Sequence, residues 1–213
     1  MHIEIKNLTK KFKNNVVVNN VSVKFDENKI YGIVGRNGSG KSVFLKMICA
    51  FYIPTSGTIL QDNYNYIDNN DFPKSTRALI EEPGFIPELT GFQNLKLLAS
   101  IENKISDNEI LSALENVNLT DDKDKKYKEY SLGMKQKLGI AQVIMDNPKI
   151  MILDEPFNGI DEESVVKIKK ILMRLKKDKI IIITSHIKKD IVELSDVIYK
   201  FNNGNLEKEN EFN

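Results

Sequence analysis

Apolar and polar residues alternate over the first part of the chain. Apolar side chains occupy every second position over residues 3–5 and 21–25, and residues 16–18 are three consecutive valines. Alternation of this kind is typical of strands that bury one face, and the asparagine and lysine pairs between these groups are typical of turns. The opening of the chain therefore predicts an antiparallel sheet.

Two later segments, residues 150–153 and 180–183, are uninterrupted apolar runs. Short continuous runs are typical of strands that are buried on both faces of a parallel sheet. The segment 161–177 between them has helical spacing and a lysine-rich outer face, so the pattern predicts a β-α-β unit with a right-handed crossover. Asn203 and Gly204 predict the turn of a short hairpin near the end of the chain.

The middle of the chain has helical spacing over residues 90–101 and 106–117, with little strand signal between them. Ser106 and Glu109 have the spacing of a capping box at the start of the second helix. We therefore expect an α/β fold with a mixed core sheet, an antiparallel β subdomain and an inserted α-helical subdomain. The expected single domain covers residues 1–213, with a core over about 1–75 and 148–213 and a helical insertion over about 76–147.

Composition restricts the classes of function. The 213 residues are 41% hydrophobic and 29% charged, as in an ordinary folded protein, and 31 basic against 30 acidic side chains give a net charge of +1. Because no global field attracts nucleic acid, we expect no nucleic-acid partner. The single cysteine, Cys49, is expected to be a small buried thiol in a reducing cytoplasm. No apolar run in the sequence is long enough to span a membrane.

Residues 35–42 read G-R-N-G-S-G-K-S and fit the phosphate-binding pattern G-x-x-x-x-G-K-[ST]. In such a loop the glycines turn backbone N–H groups toward a phosphate, Lys41 supplies a positive charge to the β and γ oxygens, and Ser42 offers a hydroxyl to Mg²⁺. A strand-like run precedes the loop and a helical pattern follows it, which favours a nucleoside triphosphate site over a chance glycine-rich turn. The expected nucleotide-binding residues are Gly35, Arg36, Asn37, Gly38, Ser39, Gly40, Lys41, Ser42 and Val43.

Two acids, Asp154 and Glu155, directly follow the first continuous apolar run. Open α/β sheets bind their ligands at the carboxyl ends of the strands. We expect Asp154 to hold Mg²⁺ through water and Glu155 to polarise an attacking water molecule. The alternative is that the acidic pair only ends the strand and caps the turn at Pro156, but the glycine loop upstream favours the chemical interpretation.

Residues 130–137, Y-S-L-G-M-K-Q-K, are similar to the signature sequence of the ATP-binding cassette (ABC) ATPases. With the glycine loop and the acidic pair, they make the chain resemble this family from Ile3 to about Lys208. The resemblance implies a P-loop NTPase of the ABC ATPase type, with ATP and Mg²⁺ as cofactors. It also implies ATP hydrolysis, with Lys41 and Glu155 in the catalytic site.

Other residues acquire roles from the same resemblance. Ser131 and Gly133 would contact the γ-phosphate held by an opposite subunit, although Ser131 is equally suited to be only a helix cap. His186 follows the second apolar run and would be the catalytic histidine that contacts the γ-phosphate and helps to hold Glu155. Asp161 would lie in the loop that communicates across the dimer and would also cap the next helix.

Three further positions concern the base and the metal. Phe12 would stack on adenine with Val18 beneath it, although aromatic residues are more often part of a core. Glu81 stands where the family normally has a glutamine that binds Mg²⁺. A carboxylate still offers an oxygen to the metal, but it adds negative charge near the triphosphate.

The resemblance implies a dimer, expected to be a homodimer, that traps ATP between the glycine loop of one subunit and the signature serine of the other. Separate integral membrane subunits would use this cycle for transport, and the chain would lie at the cytoplasmic face of the cell membrane. We expect docking around Phe85, Ile86 and Leu89, although internal packing explains this apolar cluster equally well. The sequence of residues 81–85 resembles that of the bacitracin and lantibiotic branch of the family. This resemblance implies export of, or immunity to, a peptide or drug.

Two rival functions remain open at this point. The first is a soluble cassette protein that acts on ribosomes or DNA, a class that usually has two cassettes, a coiled-coil insertion or basic arms. The second is an inactive relative that binds ATP as a structural switch. Lys41, Asp154, Glu155 and His186 are all retained, which favours an active ATPase.

Overall fold

The computed structural model describes residues 1–102 and 105–212. Nine strands are assigned in this part of the chain: β1 His2–Phe12, β2 Asn15–Asp26, β3 Lys29–Val34, β4 Ser56–Gln61, β5 Thr76–Leu79, β6 Ile150–Asp154, β7 Ile180–Ser185, β8 Val197–Asn202 and β9 Asn205–Glu211. The helices are α1 Lys41–Ile48, α2 Gly91–Glu102, α3 Asp107–Asn116, α4 Leu132–Ile144, α5 Glu162–Leu175 and α6 Lys188–Val192, with a 3-10 turn at Tyr127–Glu129.

The predicted antiparallel sheet is confirmed. Three strands lie in the order β2-β1-β4, and both pairs are antiparallel. Ile5 lies opposite Val23 on one side and Ile59 on the other, and all three side chains are buried. The alternation in the sequence therefore buries one face of each strand.

The second sheet has six strands in the order β5-β6-β7-β3-β8-β9. All pairs are parallel except β8 and β9, which form the predicted hairpin through Asn203 and Gly204. Helix α5 connects the neighbouring parallel strands β6 and β7, so the predicted β-α-β unit is confirmed. The carboxyl ends of β3, β6 and β7 meet at one edge, because Val34 lies opposite Ser185 and Asp154 lies opposite Thr184.

The continuous apolar runs are explained by two cores, one on each face of the six-stranded sheet. Along β7, Ile181 and Ile183 pack into the core on the side of α4 and α5, whereas Ile180 and Ile182 pack into the core that contains α1 and the antiparallel sheet. Full burial of a side chain of this size contributes about 1.5–3 kcal/mol. Both faces of residues 180–183 are therefore buried in apolar cores, and polar side chains begin only at Thr184.

Strand β5 corrects the predicted boundary of the helical insertion. Thr76–Leu79 pairs in parallel with β6 and belongs to the core sheet, although residues from 76 onward were assigned to the insertion. The strand is at the sheet edge and has only four residues, so its sequence shows no clear period. The helices of the insertion begin at Gly91.

The helical region is otherwise as predicted. The Ser106 backbone N–H donates to Glu109 Oε2 at 2.7 Å and the Glu109 N–H donates to Ser106 Oγ at 3.4 Å, which completes the capping box of α3. Among the helices of the described ranges, none has both the length and the apolar character that a bilayer crossing requires.

Candidate nucleotide-binding and catalytic site

The glycine loop connects β3 to α1 and turns in a way that requires glycine. Gly38 and Gly40 have φ angles of 76° and 110°. A Cβ atom on Gly40 would lie 2.5 Å from the carbonyl oxygen of Val17. The antiparallel sheet therefore packs directly against the loop, and a side chain at position 40 would separate the two.

The loop encloses a cavity of about 330 Å³ that is suited to phosphates. Residues 37–43 line it together with Val17 and Glu155. Backbone N–H groups at the start of α1 and the positive end of the helix dipole favour an anion there. Ser39 Oγ is buried and has no hydrogen-bond partner among the described residues, which suits a group whose partner is a ligand.

Lys41 is a buried cation at the base of this cavity. Its Nζ atom donates to the carbonyl oxygens of Gly35 at 2.7 Å and Arg36 at 3.3 Å. The same Nζ atom lies 3.3 Å from Glu155 Oε1. Gly35 and Arg36 themselves line a different cavity, which also contains His186, so only part of the predicted loop faces the phosphate cavity.

The two acids at the end of β6 have different partners. Asp154 is buried and accepts a hydrogen bond from Thr184 Oγ1 at 2.5 Å. Glu155 has a positive φ of 48°, a strained conformation for a side chain of this size. Its backbone N–H donates to the same Thr184 hydroxyl at 3.0 Å, which holds this turn. Thr184 therefore joins the Asp154 side chain to the Glu155 backbone, and both acids line a cavity of about 350 Å³.

His186 fixes one oxygen of the Glu155 carboxylate. The His186 Nδ1 atom lies 2.7 Å from Glu155 Oε2, and the His186 backbone N–H donates to the same oxygen at 3.2 Å. Because an ionised carboxylate only accepts hydrogen bonds, Nδ1 carries the proton in this contact. Glu155 Oε1 is buried and accepts no hydrogen bond from the described residues. His186 therefore holds one oxygen, and the other lies beside the Lys41 ammonium.

The oxygen ligands near the loop fit a magnesium ion that is shared with a nucleotide. Asp154 and Glu81 both line a cavity of about 350 Å³, and Ser42 is on the first turn of α1. Over residues 1–102 and 105–212, no group of three His, Cys, Asp or Glu side chains is arranged to hold a metal by itself. Mg²⁺ is commonly held by one or two carboxylates, with phosphate oxygens and water completing its shell. Ser42, Asp154 and Glu81 would hold the ion in that manner.

Glu81 has a partner that was not predicted from the sequence. It has a positive φ of 64° and forms an ion pair with Lys46, which extends from α1. The hydrogen bond to Glu81 raises the pKa of the Lys46 ammonium. The predicted metal ligand is therefore bound to a cation of the chain itself.

Val17, rather than Val18, faces the nucleotide site. Val18 is completely buried in the core, whereas Val17 lines the phosphate cavity. Successive side chains of a strand point to opposite faces, so an error of one residue moved the predicted contact to the wrong face. Phe12 lies further along the same hairpin, is 41% exposed, and meets Tyr52 edge to face with a centroid distance of 5.6 Å.

The signature segment forms the start of α4 and packs against the loop after β6. Ser131 caps the helix, because its Oγ accepts a hydrogen bond from the Met134 N–H at 3.2 Å. A Cβ atom on Gly133 would lie 2.3 Å from the Gly159 carbonyl oxygen, so glycine permits the close approach. Ser131 does not line the phosphate cavity of its own chain.

Asp161 is the predicted cap of α5, and this prediction is confirmed. Its Oδ1 accepts from the Ser164 N–H at 2.8 Å, and its Oδ2 lies 2.6 Å from Lys137 Nζ. The Lys137 ammonium, and then the Ser164 N–H, hold the pKa of the Asp161 carboxyl well below its usual range. This ion pair joins α4 to the loop that starts α5.

A family model described as "ABC transporter" matches residues 18–158, which is more than half of the chain. The chain belongs to the ABC transporter family. The matched range contains the glycine loop, the acidic pair and the signature segment. It is an ATP-binding subunit of that family, and the α/β fold of the ABC ATPase type expected from the sequence is confirmed.

Three relatives are similar over nearly the whole chain. An uncharacterized ABC transporter ATP-binding protein, YybJ of Bacillus subtilis, is 43% identical over 96% of this chain and 94% of its own. The bacitracin transport ATP-binding protein BcrA of Enterococcus faecalis is 40% identical over 97% of this chain and 68% of its own. The lantibiotic transport ATP-binding protein SrtF of Streptococcus pyogenes is 33% identical over 99% of this chain and 91% of its own. The expected resemblance to the bacitracin and lantibiotic branch is confirmed.

A solved structure has the same fold. The ATP-binding cassette MJ0796, a dimer in a post-hydrolysis state bound to ADP and Pi, superposes with a TM-score of 0.89 at 24% identity and covers 99% of both chains.

Several residues of this ABC ATPase site were not predicted. Thr184 lies directly opposite Asp154 in the parallel register, so aligning the two apolar runs would have found it. Gln136 donates from Nε2 to the Glu155 carbonyl oxygen at 3.2 Å, and Lys137 pairs with Asp161. Lys46 follows Ser42 by one helical turn, and that spacing was the only signal for its position.

Proposed function

We propose that this chain hydrolyses ATP to drive the export of a peptide or drug, or immunity to it, through separate membrane subunits. The observation that carries the proposal is the set formed by Lys41, Glu155 and His186. At the carboxyl ends of β6 and β7, beside the glycine loop, Glu155 contacts both Lys41 and His186. A cation suits the phosphate oxygens of a triphosphate, and a carboxylate that is held in place by a histidine suits the activation of water.

The contacts support a division of labour in hydrolysis. Glu155 Oε1 accepts a proton from the attacking water, while His186 holds Oε2 and so fixes the direction of the carboxylate. Lys41 exchanges the loop carbonyls for the β and γ oxygens of ATP. Ser42, Asp154 and Glu81 would hold Mg²⁺, which would supply neutralisation of the phosphate charge when bound.

The second half of the site is proposed to come from a second copy of the chain. Ser131 and Gly133 offer a hydroxyl and helix N–H groups at the start of α4, but they lie outside the phosphate cavity of their own chain. A head-to-tail homodimer would place them over the glycine loop of the partner. The cassette MJ0796 was solved as a dimer, and its fold is the same.

The membrane subunits are proposed to dock on the start of the helical region, which would place the chain at the cytoplasmic face of the membrane. Phe85 packs against Tyr127 with a centroid distance of 5.3 Å, whereas Ile86 is 45% exposed. Phe85 and Ile86 line a cavity of about 320 Å³ together with α2 and Gln142. Phe85 therefore serves internal packing, Ile86 and the cavity are available to a partner, and Leu89 is only partly exposed.

The proposed cargo class follows from the relatives. BcrA is named for bacitracin transport and SrtF for lantibiotic transport, and both substrates are peptides. Nothing among these relatives favours action on ribosomes or DNA.

The central test replaces Glu155 with glutamine. Glu155→Gln keeps the shape of the side chain but removes the proton acceptor, so we expect ATP binding within about twofold of the natural chain and hydrolysis lowered by about 100-fold or more. Fluorescent nucleotide binding and phosphate release measure the two quantities. Near-normal hydrolysis in this variant would remove Glu155 from the mechanism.

A second experiment tests the transport role. Recovery of the tagged chain from membranes together with a polytopic protein would support this role, and recovery with ribosomes instead would contradict it.

A further inference from the structure

Lys46 lies between the proposed metal ligands and Phe12, the residue that is expected to stack on adenine. It follows Ser42 by four residues on α1, so the two side chains lie on the same face of the helix, one turn apart. The Lys46 side chain is only 17% exposed and forms the ion pair with Glu81, whose side chain is 64% exposed. The proposed metal ligands Ser42 and Glu81 are therefore both adjacent to a cation of the chain.

The same ammonium has a second partner. Lys46 Nζ lies 5.4 Å from the centroid of the Tyr52 ring, within the range of a cation–π contact. Tyr52 in turn meets Phe12 edge to face. A continuous line of side chains runs from Phe12 through Tyr52 and Lys46 to Glu81, and the Tyr52 ring remains beside Lys46 if Glu81 leaves.

Glu81 also holds a strained backbone. Its φ of 64° lies in the left-handed region that disfavours a residue with a Cβ, and the ion pair is the contact that fixes its side chain in this position. Glu81 lies in the short segment, residues 80–84, that leads from β5 toward the helical region. The Lys46 contact thus ties that segment to α1. A glutamine at position 81 would be neutral and would form no ion pair.

We propose that Lys46 is a positioning residue that competes with Mg²⁺ for the Glu81 carboxylate. In the nucleotide-free chain the Lys46 ammonium holds Glu81, and Mg²⁺ arriving with ATP must displace it. Displacement moves the attachment of the segment at residues 80–84 from the Lys46 ammonium to the bound metal, while Lys46 stays on the Tyr52 ring. The inference rests on the proposed role of Glu81 as a metal ligand.

A double-mutant cycle tests the competition. Lys46→Met removes the competing cation and keeps the length of the side chain, Lys46→Arg keeps the charge as the matched control, and each is combined with Glu81→Gln. The readout is the Mg²⁺ concentration that gives half-maximal binding of a fluorescent, non-hydrolysable ATP analogue. An ion pair of this exposure is worth about 1 kcal/mol, so we expect Lys46→Met to lower that concentration about fivefold when Glu81 is present.

The expected shift is less than about twofold in the Glu81→Gln background, because only the long-range charge of Lys46 is then removed. Lys46→Arg should behave as the natural chain does. Without nucleotide, Lys46→Met should also speed amide hydrogen exchange over residues 80–84, because the ion pair that holds Glu81 is lost. Thermal unfolding of each variant checks that it folds.

Other outcomes overturn the inference. Equal shifts in both backgrounds would mean that Lys46 acts only as a distant charge, and no shift in either would mean that there is no competition. If Glu81→Ala, which removes both side-chain oxygens at this position, leaves the Mg²⁺ dependence unchanged, Glu81 is not a metal ligand and the competition is excluded with it. That last result is distinct from failure of the ATPase proposal, which the Glu155→Gln experiment decides independently.

Discussion

The glycine-loop edge and the signature edge of this molecule are built in different ways. At the first, Glu155 contacts both Lys41 and His186 at the ends of buried strands. At the second, Ser131 caps a helix at the surface, and its neighbours Lys137 and Asp161 pair with each other rather than with a catalytic group. The first edge is organised within one chain, whereas the second is proposed to act on the nucleotide of a second subunit. Substitutions at the two edges should therefore differ in how strongly they reduce ATP hydrolysis and the stability of the fold.

The largest expected effect comes from the signature edge. Ser131→Arg places a long cation where the γ-phosphate of the opposite subunit is proposed to lie and removes the hydroxyl. We expect hydrolysis to fall by about 100-fold or more, as when a preorganised donor is lost, while ATP binding to the monomer changes by less than about twofold. Ser131→Thr keeps the hydroxyl and the helix cap and should remain active. Phosphate release and fluorescent nucleotide binding give the comparison, and a loss of monomer binding would contradict a role in the opposite subunit.

Mixing variants sharpens the same prediction. A Lys41→Met chain has a defective glycine loop and an intact signature, and the Ser131→Arg chain has the reverse. A mixed dimer contains one intact composite site, so equal mixing should restore about a quarter of the intact sites of the natural protein. Each variant alone provides the baseline for phosphate release. Absence of any recovery would show that the two segments do not complete each other's sites.

A smaller loss is expected at the glycine-loop edge from Thr184→Val. This substitution keeps the volume but removes the hydroxyl that donates to Asp154 and accepts from the Glu155 N–H. A buried carboxylate without its donor costs about 1–3 kcal/mol, so urea unfolding should show a loss of that size, and hydrolysis should fall by about tenfold. Thr184→Ser restores the hydroxyl and serves as the control. If the valine and serine variants behave alike, the hydroxyl does not organise the two acids.

The two edges also differ in how far the sequence predicted them. The apolar runs at β6 and β7 are buried on both faces, so their ends, and with them Asp154, Glu155 and His186, could be placed without a structure. Residues 16–18 are all valine, which hides the phase of the alternation, and the β1–β2 pairing contains register shifts. The choice between Val17 and Val18 therefore could not be made from the pattern.

The sequence pattern also could not predict contacts between segments that are distant along the chain. Lys46 and Glu81 are 35 positions apart, and their meeting depends on β5, whose four residues carry no period that predicts a strand. The pairing of Lys137 with Asp161 likewise depends on how α4 approaches the start of α5. Sequence patterns report which face of an element is buried, whereas these ion pairs depend on the relative placement of two elements.

The smallest expected effect is a pH dependence at the signature edge. Asp161→Asn keeps a side chain that caps α5 but removes the charge that pairs with Lys137. The ion pair and the Ser164 N–H lower the folded-state pKa of Asp161 below its ordinary value of 3.8, so its stabilisation is complete above that value and is lost as the pH falls through the folded pKa. The free energy of unfolding in urea should therefore differ most between the two proteins near neutral pH, and the difference should shrink below about pH 4. Because Asp161 is half exposed, added salt should also reduce the difference. A difference that stays constant with pH would mean that the cap and not the charge joins the two segments.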